Sequence, residues 1–276
     1  METLIARSIF TPATGFILRG GFAWTCNPYL GCTFGCQYCY AMFLPQNRRP
    51  LADWGRWLVA KSNAIDLARQ TAHKLRDQAL YLSSVTDPYL PVERRLRLTR
   101  GILEALVPVQ PRLLVQTRGP LVVRDLDLLR CFHQVRVNIS IPTDDEDVRR
   151  AFEPKAPPLA ARWQAAAAVR AAGVAVGICV TPMLPVVEPG AFIERLLAFR
   201  PDVLVVQDFH DRRGAFGANT APAARASALA RGWTSADYLA IRDALARRYM
   251  TYEGEAGFFP PGGSPAVASA LSARIG

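Results

Sequence analysis

The run Asn27-Pro-Tyr-Leu-Gly-Cys-Thr-Phe-Gly-Cys-Gln-Tyr-Cys-Tyr40 sets Cys32, Cys36 and Cys39 in a C-x3-C-x2-C spacing. Thiols this close together suit a metal centre, and no obvious fourth donor stands beside them. A closed structural zinc site takes four protein ligands, whereas a centre with one open position can bind and activate a second molecule. Cys26 would be the fourth ligand of a zinc alternative, with five residues between it and Cys32. Taken alone, Cys26 reads as a buried strand residue, as small free cysteines commonly are.

Outward from this run, short apolar stretches alternate with amphipathic or alanine-rich ones. A first strand is expected at 22–26, running into the cysteines. Others are expected at 79–85, 112–117, 135–141, 174–181 and 203–207, each rich in Val, Ile and Leu. Helical patterns fall between them at 93–106, 124–132, 159–172 and 189–199. A repeated βα order implies a parallel sheet with right-handed crossovers. About six such units fall short of the eight of a closed TIM barrel, so the expected fold class is α/β, a partial (β/α)6 TIM-like barrel.

In such a barrel functional groups gather at the carboxyl ends of the strands. Polar residues recur there: Ser83-Ser-Val-Thr-Asp-Pro88, Gln116-Thr-Arg-Gly119, Ser140, Thr181-Pro-Met-Leu-Pro185 and Gln207-Asp-Phe-His210. The organisation expected is an N-terminal extension over 1–20, the barrel over 21–232, and a C-terminal helix and tail over 233–276. Residues 211–232 read as a loop or a loosely helical excursion, and Pro260-Pro-Gly-Gly263 interrupts regular structure in the tail.

The chain has 276 residues, half of them hydrophobic, enough for a sizeable core. No apolar run reaches the roughly 18–20 residues of a membrane span, and the N-terminus lacks the pattern of a signal peptide; a cytoplasmic protein with no membrane partner is expected. Three of six cysteines lie within eight residues, which suits metal or redox chemistry in a reducing compartment. The formal charge is +10 and nearly all the cations are arginine, with lysine only at 61, 74 and 155. Such a surplus is compatible with a phosphate-rich partner, although arginine and alanine abundance together also reflect a GC-rich coding bias.

The cysteine spacing with Tyr38 before its last member resembles the signature of the radical S-adenosylmethionine superfamily. Ser84-Val-Thr-Asp-Pro-Tyr89, Pro91-Val-Glu93, Leu98-Thr-Arg100, Arg124-Asp-Leu-Asp-Leu-Leu129 and Glu153-Pro-Lys-Ala-Pro157 extend the resemblance, over about 20–210, to the family of spore photoproduct lyase. The resemblance implies a barrel of the radical SAM type and a 4Fe-4S cluster on Cys32, Cys36 and Cys39. The remaining iron would be free for the amino and carboxylate groups of S-adenosylmethionine. It further implies reductive cleavage of that cofactor to a 5′-deoxyadenosyl radical, an electron donor such as flavodoxin or ferredoxin, and an unidentified substrate, nucleic acid among the candidates. By the same resemblance Tyr38, Thr86, Asp87, Arg118 and Ser140 are cofactor contacts, Arg118 and Ser140 toward the methionine end.

Other residues carry competing readings. Spore photoproduct lyases use a further cysteine as a hydrogen donor; Cys179 on the fifth strand could face the interior and serve so, while Cys131 in a helix reads as packing. His210 at a strand end suits substrate binding, proton transfer or a surface role. Asp144, Asp145 and Glu146 suit a helix N-terminus. Trp54 and Trp57 with Arg48, Arg49 and Arg56 read as a folded excursion over the cysteine site, with base stacking as the alternative. The plain account of Glu153 and Lys155 is an ion pair that shapes a loop, and the alanine run 165–168 is a helix former.

Overall fold

The computed structural model describes residues 2–44, 47, 49–210 and 219–263. Its principal sheet has eight strands: β1 (Phe10–Pro12), β2 (Trp24–Cys26), β3 (Ala79–Leu82), β4 (Arg112–Thr117), β5 (Val135–Ser140), β6 (Ala175–Val180), β7 (Val203–Val206) and β8 (Thr251–Glu253). They lie side by side in chain order. β2 to β8 run parallel, and β1 pairs antiparallel with β2 at one edge. The six expected strands are all present, in the expected order, as an open barrel wall. The sheet also draws a strand from each flank, β1 before the cysteines and β8 after the last helix.

Both faces of the sheet are buried, which is why its strands read as nearly continuous apolar runs. Leu82, Val115, Val137, Ile178 and Val206 point outward into the core shared with the helices. Tyr81, Leu114, Cys179 and Val205 point inward and pack with Phe22, Phe258 and Phe259 toward the barrel's base. The segment after β8 is tied there by Arg19, which donates to both oxygens of Glu255 at 2.6 and 2.9 Å. Gly20 has no side chain at this contact, where a Cβ would collide with the Phe258 carbonyl oxygen.

One helix expected over 93–106 is two, Glu93–Leu96 and Leu98–Leu106, separated by Arg97 at φ 52°. The break serves Glu93, which is fully buried and accepts from the Tyr29 hydroxyl and from Arg124 at 2.9 Å. Arg124 also holds buried Asp125, which Arg100 reaches at 3.1 Å, and Arg100 pairs with Asp127. These motif residues thus form one ionic network among the crossovers, fastening Tyr29 at the head of the cysteine run.

A second, three-stranded sheet of Glu2–Leu4, Val59–Lys61 and Tyr29–Leu30 sits beside that run. It fixes the chain immediately before Gly31 and Cys32. Arg48, residues 211–218 of the expected loop and residues 264–276 of the expected tail lie outside the described residues. No helix among the described residues is long and apolar enough to cross a membrane.

Candidate cofactor site

The cysteine loop leaves β2 and turns on two glycines with positive φ, Gly31 at 76° and Gly35 at 66°. The loop is covered tightly. A Cβ on Gly31 would lie 2.6 Å from the Trp57 ring, and one on Gly55 would lie 2.6 Å from the Cα of Gly35. Trp54 and Trp57 meet edge to face at 6.3 Å, and Arg49 lies 4.6 Å over Trp57. The tryptophans are therefore a cover packed on the cysteine loop, as expected, and Trp57 already has a cation against its face.

Cys32 and Cys36 are 6% and 2% exposed and Cys39 is half-buried. Burial pushes the Cys32 thiol up to about 12, the Cys36 thiol well above its ordinary value and the Cys39 thiol upward. The nearby Arg118 guanidinium opposes that rise for all three. The thiols of the triad also act on one another, whereas Cys26 acts with Lys61 instead. No three His, Cys, Asp or Glu side chains among the described residues converge closely enough for a single ion. A cubane cluster carries each thiolate on a different iron, so three separated thiols, two buried and one half-buried, beside one cation suit it better than a four-ligand zinc site. Metal entry must displace the thiol protons.

The five residues expected at the cofactor come together around the loop, several already committed to protein partners. Thr86 donates to the Gly31 carbonyl at 2.6 Å. Asp87, 2% exposed, accepts from Thr117 Oγ1 at 2.7 Å and from the backbone amides of Arg118 at 2.8 Å and Tyr89 at 2.9 Å. Burial raises its pKa, against the pull of Arg118. The Asp87 carboxylate therefore ties the end of β3 to the end of β4. Ser140 Oγ takes a hydrogen bond from Gln116 Nε2 at 3.1 Å.

A sixth residue joins them. Glu153 ends the helix Glu146–Phe152 and is fully buried. It accepts from the Tyr38 hydroxyl and from Arg162, pairs with Arg118 Nε at 3.3 Å, and lies 4.0 Å from Cys36 Sγ. Burial works to raise the Glu153 pKa, but Arg162 and then Arg118 hold it below the usual carboxylate value. Arg162, itself fully buried, also donates to the Ser140 carbonyl at 3.1 Å. One carboxylate therefore links Tyr38, Arg118 and, through Arg162, Ser140.

The expected Glu153–Lys155 ion pair is corrected: Lys155 Nζ instead donates to the Gly55 carbonyl at 2.8 Å, clamping the tryptophan cover. The importance of Arg162 was not visible in an alanine-rich helix, where a single arginine reads as a surface residue. The Glu153-Pro-Lys-Ala-Pro157 motif was the available signal for Glu153.

Cys179 is fully buried on the inner face, 3.8 Å from Gln116 Oε1, with its thiol pushed up to about 12 by burial. Cys131 is exposed and bonds the Asp127 carbonyl at 3.2 Å, so the packing role expected for it is corrected. His210 lies at the barrel mouth, its Nδ1 3.3 Å from Gln207 Nε2 and its ring 6.3 Å from Tyr40. Asp145 caps the Val148 amide at 2.8 Å, bearing out the helix N-terminus, and Asp144 binds the amides of Val187 and Glu188.

An open parallel barrel with clustered thiols at the carboxyl ends of its strands defines a class of cofactor-dependent enzyme. Residues 26–197 match the family model of the radical SAM superfamily, and the chain belongs to that superfamily. Its cofactors are accordingly a 4Fe-4S cluster and S-adenosylmethionine.

The chain is 32% identical over 165 residues to an uncharacterized protein of Methanocaldococcus jannaschii, covering 60% of this chain and 62% of that one. It is 33% identical over 186 residues to an uncharacterized protein of Mycobacterium tuberculosis, covering 64% and 54% respectively. The match thus spans less than two thirds of these relatives. Among solved structures, a tyrosine-to-phenylalanine mutant of spore photoproduct lyase aligns with TM-score 0.60 at 16% identity, covering 91% of this chain and 80% of that one. SuiB of Streptococcus suis aligns with TM-score 0.52 at 11% identity, covering 83% and 48%. Both likenesses concern the fold.

Proposed function

We propose that the protein reductively cleaves S-adenosylmethionine at a 4Fe-4S cluster held by Cys32, Cys36 and Cys39, and uses the product to abstract hydrogen from a substrate in the barrel. The observation that carries this reading is the junction at Glu153, which gathers Tyr38, Arg118 and Arg162 beside the cysteine loop. When bound, the cluster and S-adenosylmethionine supply one-electron cleavage of a carbon–sulfur bond and a 5′-deoxyadenosyl radical.

The protein's own part is to bind, orient and exclude water. Arg118 offers a planar donor pair for a carboxylate, and Glu153 holds that guanidinium in place. Asp87 and Thr117 fix the turn from which Arg118 projects, and Thr86 fixes the loop at Gly31. The tryptophan cover shields the loop from solvent, so a reactive species inside is not quenched by water or reductant. Cys179, a buried thiol on the inner wall, is the candidate hydrogen donor in this reading.

Anaerobic reconstitution with iron and sulfide should give a brown protein that forms 5′-deoxyadenosine from S-adenosylmethionine on dithionite reduction. A colourless protein that binds zinc and forms no 5′-deoxyadenosine overturns the reading. The +10 formal charge favours acidic partners, among them a flavodoxin or ferredoxin as reductant. It also motivates a second reading in which nucleic acid is the substrate, tested by salt-dependent binding to DNA and RNA.

A further inference from the structure

β5 reads Val135-Arg-Val-Asn-Ile-Ser140, an alternation that ordinarily puts its polar row in water. Here that row faces the barrel interior, with Arg136, Asn138 and Ser140 at 3%, 0% and 4% exposure. Arg136 donates from Nε to Asn138 Oδ1 at 3.0 Å and from Nη2 to the Phe259 carbonyl at 2.7 Å, and lies 4.7 Å over the Phe259 ring. None of these partners carries a charge. Among the described residues no carboxylate forms an ion pair with Arg136. Asp202 acts on it through space, its own carboxylate accepting the Val176 amide at 2.7 Å. Burial accordingly lowers the Arg136 pKa to about 10.

Asn138 Nδ2 is buried with no hydrogen-bond partner. Its amide lies over the neighbouring strand at Gly177, the residue paired with it, where a Cβ would collide with Asn138 Oδ1. Gln116, in register with Asn138, bonds Ser140 and Cys179 on the next row. The interior therefore holds a surplus of donors, a guanidinium and an amide, against neutral acceptors. A buried polar group without a partner and a buried cation without a counter-charge are both costly, and one oxyanion would satisfy both.

We propose that Arg136 and Asn138 form an oxyanion subsite inside the barrel that takes the carboxylate or phosphate group of the substrate. The inference rests on the reading that the barrel interior receives the substrate. Arg136 precedes Ser140 by four residues along one strand, roughly 13 Å at strand rise. The substrate's acidic group and its reacting C–H bond are thus at opposite ends of the molecule, the acid deep and the C–H near the cofactor.

The test is thermal unfolding of the reconstituted protein in sodium acetate or sodium phosphate against sodium chloride at equal ionic strength. A saturable rise in Tm is expected in at least one of the two; a rise in acetate alone assigns a carboxylate, in phosphate alone a phosphate. Asn138→Asp places a carboxylate beside Arg136, so it should raise Tm without added oxyanion and abolish the oxyanion-dependent rise. Arg136→Met should abolish that rise as well; if this variant does not fold, Asn138→Asp decides alone.

No rise over chloride in the parent protein overturns the subsite, with solvent then satisfying the donors. An undiminished rise in Asn138→Asp, or a lower Tm in that variant without oxyanion, overturns it equally. Formation of 5′-deoxyadenosine by the same preparations separates the two readings. Cleavage without an oxyanion effect removes the subsite alone; an oxyanion effect without cleavage supports the subsite and removes the proposed reaction.

Discussion

Arg118 and Glu153 face each other at 3.3 Å, joining the end of β4 to the helix that follows β5, within reach of the Cys36 thiol. Neither residue is ordinarily at home in a dry interior, and each is tolerable there because of the other. Removing one member of a buried ion pair leaves the remaining charge stranded, at a cost of about 3–5 kcal/mol. Glu153→Gln should therefore lower stability by about that amount, because Arg162 loses its counter-charge and Arg118 keeps only Asp87. Iron content per chain after reconstitution should fall with it. Thermal unfolding and iron analysis check both outcomes.

Arg118→Met separates cofactor affinity from loop architecture. Its side chain supplies the cation, but the contact that shapes the turn is its backbone amide, which donates to Asp87 at 2.8 Å and survives the substitution. Cluster formation should persist, while binding of S-adenosylmethionine weakens by at least tenfold, the loss of a charge-assisted hydrogen bond of about 1.5–3 kcal/mol. Titration of the reduced cluster's EPR signal with S-adenosylmethionine measures this. Unchanged affinity would remove Arg118 from the cofactor contacts.

Close approach at the cysteine loop gives a third expectation. Gly55 has φ 85° and lies where a Cβ would press on the Cα of Gly35. Gly55→Ala combines a left-handed backbone with a steric clash, and should destabilise the protein by about 1–3 kcal/mol. Since Lys155 binds the Gly55 carbonyl, the substitution should also loosen the tryptophan cover. Faster loss of the cluster's visible absorption in air, relative to the parent protein, is the expected sign.

The sheet was legible because its strands are buried on both faces and so appear as apolar runs such as Arg112–Thr117 and Val203–Val206. β8 was not. Thr251-Tyr-Glu253 has no such run, and its membership comes from backbone pairing with β7. The cysteines and the polar strand ends pointed to the candidate site, since their spacing and position are local facts. Glu153 and Arg162 were harder to read because their meaning lies in a contact nine residues apart across a helix start. The acidic and arginine motifs around Glu93 and Arg124 carried a family resemblance, yet they reach the cysteine loop only at Tyr29. Their side chains satisfy one another in the crossovers.

That last network yields the complementary expectation. Glu93 is fully buried and binds Tyr29 and Arg124, while Arg124 keeps its pair with Asp125, so Glu93→Gln removes charge-assisted hydrogen bonds without stranding a cation and should cost about 1.5–3 kcal/mol. Its partners are Tyr29, Arg100 and Arg124, with neither Arg118 nor Tyr38 among them. At a temperature where the variant is fully folded, iron content and the rate of 5′-deoxyadenosine formation per cluster should match those of the parent protein, while Tm falls. A variant equally destabilised but also depleted in cluster would mean that Tyr29 transmits the state of this network into the cysteine loop. The ratio of cluster loss to stability loss in Glu93→Gln and Glu153→Gln therefore measures how far the loop's geometry depends on the Glu153 junction itself, and how far on the stability of the barrel that carries it.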